Sequence, residues 1–378
     1  MAVPPTLPPE APEHFGASTA PRRSRRARPS FIQRQFNPAI NLLNRLKFPQ
    51  KFALISFLFA LPLALVMGLL IFELNASIDF AQRERNGIAY LRPLRALFEA
   101  TLNARITELE FQNDRAALDD IQRARTQVEA SLRALETADR QFGADLKTAP
   151  RLRALAMNWD ALKKLAPTRE SNAVDELYVQ LIADVRALTA TVGDTSNLIL
   201  SPKLDTYYLM DAILVKLPDG QDLITQTLTL DVPALAKQGS TAGLARTSTL
   251  IGLLKANVIA TQHGITIAFQ DSANQRALDA PLRRAIETTN NFIGQVGLLW
   301  NTQGNEANAA AHRVAGAGAL QASFNLWDLA ANELDALLQT RIESLNQQRA
   351  IAIGLTTVML ALVVYLWIAF YLAVMRTV

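Results

Sequence analysis

Arg92 and Arg95 stand three residues apart, with Arg85 two turns before Arg92, in a stretch whose apolar residues keep helical spacing. On a helix, that spacing puts Arg92 and Arg95 on one face. A guanidinium forks onto a carboxylate or another planar anion, so this face could take an anionic solute. A second group follows Pro202, where Lys203, Asp205, Tyr207 and Tyr208 open a helix. Tyrosine brings a rigid apolar body with a polar tip, which suits a small-ligand pocket between helices. The two segments together could hold a small polar or anionic solute. The same residues also have a plainer use: Leu204, Tyr208 and Met210 as core, and Arg92 as the ion-pair partner of Asp205 or Asp211. Gly87 fits either a close helix contact or a functional position.

Catalytic chemistry finds no such support. The chain has no cysteine, which excludes disulfides, thiolate metal sites and Cys nucleophiles. Its histidines are His14, His263 and His312, without the H-x-x-x-H spacing of a zinc helix. His263 and His312 are expected on a helix surface or at the core edge. No P-loop, G-x-S-x-G or dinucleotide fingerprint occurs. Neither enzymatic activity nor a metal or other cofactor is therefore expected. Acidic pairs such as Asp119-Asp120 read as solvated helix faces.

The elements that must position these residues are set by two apolar stretches. Phe52–Phe72 and Ala350–Met375 contain 21 and 26 residues without a charge. About 20 apolar residues span a bilayer core as helix, and backbone amides in hydrocarbon must bond internally. Nine Lys and Arg precede the first stretch against Glu10 and Glu13, and Arg376 follows the second. The region between carries 28 basic and 32 acidic residues, so the high pI reports topology and no nucleic-acid partner is expected. Basic flanks stay cytoplasmic, which places both termini inside and the middle outside. A long n-region and a poor A-x-A exit favour an uncleaved anchor.

The expected organisation is a disordered basic tail over 1–51, a transmembrane helix over 52–72, a periplasmic helical domain over 73–349, a second transmembrane helix over 350–375, and the start of a cytoplasmic linker over 376–378. Nine of the 17 prolines lie in residues 1–50, where apolar periodicity is almost absent. Ile88, Leu91, Leu94, Leu97, Phe98, Leu102, Ile106 and Leu109 set the helical pattern of the middle region. Breaks are expected at 112–114, 143–150, 167–172, 201–202, 218–220, 238–241, 270–274 and 302–305. Ser171 and Asp271 or Ser272 could cap the helices that follow. The predicted fold is all-α: an up-and-down bundle, two stacked four-helix layers sharing two long helices, Glu73–Phe111 and about 306–349.

From Lys51 onward the sequence resembles the sensory half of bacterial methyl-accepting chemotaxis proteins and related sensor kinases. The first apolar stretch is similar to their opening span. Glu84-Arg85-Asn86-Gly87 with Tyr90-Leu91-Arg92-Pro93-Leu94 resembles their E-R-x-G-x-x-Y-L-x-P-L element. Ser201-Pro202-Lys203-Leu204-Asp205-Thr206-Tyr207-Tyr208-Leu209-Met210-Asp211 resembles their D-P-x-L-D-S-Y-Y-L-M-D segment, with Ser201 for Asp and Thr206 for Ser. Tyr90 and Asp211, from these two elements, join Arg92, Arg95, Asp205, Tyr207 and Tyr208 as candidate ligand-binding residues.

The resemblance implies a homodimeric receptor of the bacterial inner membrane. It implies a solute bound outside and a helix displacement passed inward. Tyr371 to Val378 resembles the opening of a HAMP linker, so the sequence reads as a receptor's input half with the cytoplasmic signalling module missing from it. The input half of a histidine kinase or diguanylate cyclase fits the same residues. A non-catalytic envelope scaffold is the competing class, although such scaffolds carry a proline-rich patch near the second span and Ala350–Met375 has no proline.

Overall fold

The computed structural model describes residues 36, 43–165, 167, 172–269 and 275–377. Among them are ten α-helices and no strand. In chain order these are α1 (Phe48–Gln112), α2 (Leu118–Leu146), α3 (Ala149–Lys163), α4 (Asn172–Thr195) and α5 (Leu204–Asp211). They continue with α6 (Leu217–Thr229), α7 (Val232–Lys237), α8 (Thr241–Ala268), α9 (Gln275–Asn301) and α10 (Glu306–Thr377). A 3₁₀ turn at Leu198–Leu200 precedes α5, and a π-helical segment, Ala212–Lys216, joins α5 to α6.

The chain divides into two compact units, residues 1–65 with 358–378, and residues 66–357. In the first, Phe52 of α1 and Phe370 of α10 stack with centroids 4.2 Å apart, and Trp367 stacks on Tyr371. Both α1 and α10 are long and apolar enough to cross a membrane, and almost none of their most apolar stretch is buried. Leu58, Phe59 and Phe72 expose most of their side chains, as do Ile351, Val358 and Tyr365. So large a continuous apolar surface is unfavourable in water at about 25 cal/mol per Å², and a lipid environment removes that cost. α1 starts at Phe48, inside the expected tail. The rest of that tail, residues 1–35 and 37–42, lies outside the described residues.

The second unit is a helical domain whose long helices run antiparallel. As α1 climbs through Asn75, Glu84, Arg92 and Arg95, its partners on α10 descend through Arg349, Arg341, Asn332 and Asp328. α1 also faces α2 through Tyr90–Asp139 and Glu108–Arg125, and α4 through Arg105–Asp175. α10 faces the α5–α6 run through Trp327–Ile213 and Gln221–Ser323, and α9 through His312 on Phe292. Two four-helix layers result: α1, α2, α3 and α4 form one, and α5–α6, α8, α9 and α10 the other. The expectation of a shared long pair is refined by these partners, since each layer holds one long helix and the pair forms the seam between them. One apolar core runs through both layers, with Trp159, Tyr178 and Leu135 in the first and Phe292, Phe324 and Leu326 in the second.

Most expected breaks fall in place. α1 ends at Gln112, α10 begins at Glu306, and Gly239 and Gly304 take positive φ in the loops before α8 and α10. Ser240 caps α8 by accepting from Gly243 N at 3.0 Å. Asp120 is more than a solvated acid: its carboxylate accepts from Ala117 N at 2.8 Å where α2 starts, and that amide holds its pKa below the usual range. The caps proposed at Ser171, Asp271 and Ser272 lie outside the described residues.

The break expected at Pro218 is corrected: the helical run passes through it. In the π register, residue 218 would donate to Ile213 O, and proline has no N–H to give. Trp327 Nε1 of α10 supplies that donor at 2.7 Å, and Asn257 of α8 donates to Lys216 O at 2.8 Å. Trp327 thus supplies the bond that the proline interrupts, and Asn257 adds a second tie to the same segment.

Candidate functional site

The seven candidate residues face three different ways. Tyr90 is fully buried and points into the first layer, where its hydroxyl donates to Asp139 Oδ1 at 3.0 Å and burial raises its pKa. Tyr90→Phe is expected to lower stability by about 1 kcal/mol in a denaturant titration, because it removes one charge-assisted bond without opening a cavity. Arg92 and Arg95 lie along the seam instead. Arg92 donates to Asn332 Oδ1 at 2.8 Å; Arg95 pairs with Glu99 at 2.7 Å and Asp328 at 3.0 Å, its guanidinium 4.7 Å over the Phe324 ring. The ion pair imagined between Arg92 and Asp205 or Asp211 is replaced by these contacts with α10.

The Ser201–Asp211 segment builds a helix start. Asp205 Oδ1 accepts from Thr206 N at 2.6 Å, and the Thr206 and Ser201 hydroxyls are hydrogen-bonded at 2.7 Å. Tyr208 packs against Gly264 of α8, where a Cβ would come within 3.2 Å of its ring, and Tyr207 meets Tyr208 edge-on while remaining 44% exposed. Leu209 and Met210 supply core, whereas Leu204, expected there, is exposed. Asp211 lies 4.0 Å from Lys216, and burial raises its pKa.

The two motif elements do meet, through other residues. A Cβ on Gly87 would overlap the Ser196 side chain, so this glycine serves close approach of α1 to the end of α4. Glu84 is completely buried; burial pushes its carboxyl up to about 7, against the pull of Ser201 and of Arg341, whose Nη1 is 3.3 Å away. Glu84 Oε1 and Ser196 Oγ have no hydrogen-bond partner among the described residues.

A different place has the shape of a ligand site. A cavity of about 480 Å³ opens where α1 ends and α10 begins, closed by α6 and α7. Ile106, Leu109, Leu320 and Phe324 give it apolar walls, and Glu110, Arg115, Asp231, His312 and Arg313 give it charge and polarity. His312 is 2% exposed, stacked on Phe292, and its Nε2 has no hydrogen-bond partner among the described residues. Burial, with Arg313 beside it, pushes its pKa down to about 4, so it is a neutral imidazole near neutral pH. Arg313 Nη1 is likewise buried and without a hydrogen-bond partner among the described residues. Buried polar atoms are normally hydrogen-bonded, and two that are not, at one concave site, suit a ligand's oxygen atoms.

A second cleft, about 410 Å³, is lined by Arg105, Arg186 and Arg246, but two of these are already spent. Arg105 forks onto Asp175, and Arg186 pairs with Asp219 and with Asp222 at 3.1 Å. The cavity at His312 is therefore the better candidate. His312, expected on a helix surface or at the core edge, is buried, and Arg313 drew no expectation, since the significance of both depends on the end of α1 and on α7 reaching the same height. His263, by contrast, is exposed as expected.

No family model, curated protein or solved structure matches this chain.

Proposed function

We propose that this chain is the signal-input part of a bacterial transmembrane receptor of the chemoreceptor type. Its helical domain stands in the periplasm, and both termini lie on the cytoplasmic side of the inner membrane. A small polar or anionic solute enters the cavity at His312 and Arg313. One observation carries the reading: α10 lines that cavity with its two unpartnered groups and continues as one helix through the apolar stretch to Thr377. A solute that prefers one position of α10 shifts its equilibrium by the difference in affinity, and about 1–3 kcal/mol suffices for signalling. Charge asymmetry around the apolar stretches supports the topology, and the two resembling motif elements support the receptor class. Homodimerisation belongs to the same reading.

A fusion at Val378 to a HAMP-linked kinase-control module tests it. The fusion is challenged with amino acids, amines and carboxylates, and compared with a variant carrying Gly-Gly after Arg349. Each added glycine weakens the helix by about 1 kcal/mol and changes its register. The expected result is a solute-dependent output that the insertion abolishes while solute binding persists. A response unchanged by the insertion refutes transmission through α10, and no response to any solute refutes the sensor reading.

A further inference from the structure

Two groups of opposite sign on the cavity wall, Arg313 and Glu110, are the least fully engaged of its charges. Arg115 sits 3.7 Å from Asp231, and Glu99 holds Arg95 at 2.7 Å. Arg313 reaches Glu306 at 3.9 Å, an ion pair as loose as Arg115–Asp231, and its buried Nη1 has no hydrogen-bond partner among the described residues. Glu110 is half-buried on the same wall. Burial raises its pKa, while Arg313 and Arg115 draw it down from a distance. His312 Nε2 adds one neutral polar atom on the same wall.

Resting on the reading of this cavity as a solute site, we infer that its solute is an amino-acid-like zwitterion, with its carboxylate on Arg313 and its protonated amine on Glu110. A plain carboxylate would satisfy Arg313 but stand beside an unneutralised Glu110. A plain amine would satisfy Glu110 and face Arg313. Only a ligand with both charges meets both residues, and leaving a charged group partly shielded from water and unmatched costs binding free energy. The volume leaves room beyond the head group, and Ile106, Leu109, Leu320 and Phe324 provide apolar contact for a side chain. The neutral His312 imidazole accepts from the amine or donates to the carboxylate without adding charge.

The test uses the full chain in lipid nanodiscs and titration calorimetry. The probes are the common amino acids together with the deaminated and decarboxylated halves of two of them: 4-methylpentanoate and isoamylamine for leucine, 3-phenylpropionate and phenethylamine for phenylalanine. At least one amino acid should bind, and about tenfold or more tighter than a probe lacking either charge. Glu110→Gln should bring that amino acid down to the level of a carboxylate. Arg313→Lys, which keeps the charge but loses the fork, should weaken it by a similar factor while circular dichroism stays unchanged. If carboxylates bind as tightly as amino acids and Glu110→Gln leaves them unaffected, the zwitterion inference falls and the solute site stands. If no probe of any class binds, both fall.

Discussion

Gly304→Ala is expected to lower unfolding free energy by roughly 3 kcal/mol, a larger loss than other glycine substitutions in the loops. Two separate costs meet there. Gly304 has φ of +71°, a backbone region that costs a side-chain-bearing residue about 1–2 kcal/mol. A Cβ at this position would also overlap the Pro233 carbonyl oxygen and sit 3.0 Å from its carbon. Both are backbone atoms of α7 and cannot rotate aside, and overpacking of this kind costs about 1–3 kcal/mol. Gly239 separates the terms. Its φ is +60°, yet a Cβ there meets nothing within 4 Å, so Gly239→Ala should lose only the conformational part. Denaturant unfolding of both variants in detergent micelles, followed by far-UV circular dichroism, measures the difference. Equal losses would mean that α7 yields, and that the wall formed by Pro233 and Asp231 is soft. Unequal losses would mean that a close backbone contact fixes that side of the cavity.

The long helices were legible because their limits are written locally. Asn113, Asp114 and Gly304 interrupt a three-and-four apolar rhythm that nothing else breaks between Glu73 and Gln112 or after Glu306. Pro218 was misread for the opposite reason. Its local meaning is a break, and what overrules it is an indole N–H from Trp327 on a helix far along the chain. The same divide runs through the candidate site. Arg92, Arg95 and Tyr90 were recognisable as residues able to bind something, but what they bind is Asn332, Asp328 and Asp139, on helices whose register no local pattern states. His312 lies in an alanine-rich helix start that looks solvent-facing when read alone. Its burial comes from Phe292 on one side and the end of α1 on the other. Gly87 lay between: the sequence allowed close contact or function, and Ser196 supplies the contact.

Arg341→Met should be the most pH-dependent lesion in the helical domain, with a loss of about 3 kcal/mol at pH 8 that shrinks to about 1 kcal/mol at pH 5. Glu84, completely buried, has Arg341 as its one ion-pair partner among the described residues, and burial pushes its carboxyl up to about 7 from an ordinary 4.5. A folded-state pKa above the unfolded one means that the folded protein holds the proton more tightly. The stability this contributes is complete below pH 4.5 and is lost as pH rises through 7. At pH 8 wild-type Glu84 is charged, and Arg341 is what makes a buried carboxylate tolerable. Removing it leaves a buried charge without water or a counter-ion. At pH 5 the carboxyl is protonated in the folded state with or without Arg341. Only packing is then lost, including the guanidinium 5.9 Å over the Phe80 ring. Glu84→Gln in the same chain provides the control, because a neutral amide should return most of the pH 8 loss to the double variant. Denaturant unfolding of wild type, both single variants and the double at the two pH values completes the cycle. A loss equal at pH 5 and pH 8 would show that Glu84 is not the group being titrated and that Arg341 holds the seam by packing alone. The expected pattern would instead make the meeting of α1 with α10 depend on the ionisation of one residue in the Glu84–Gly87 element.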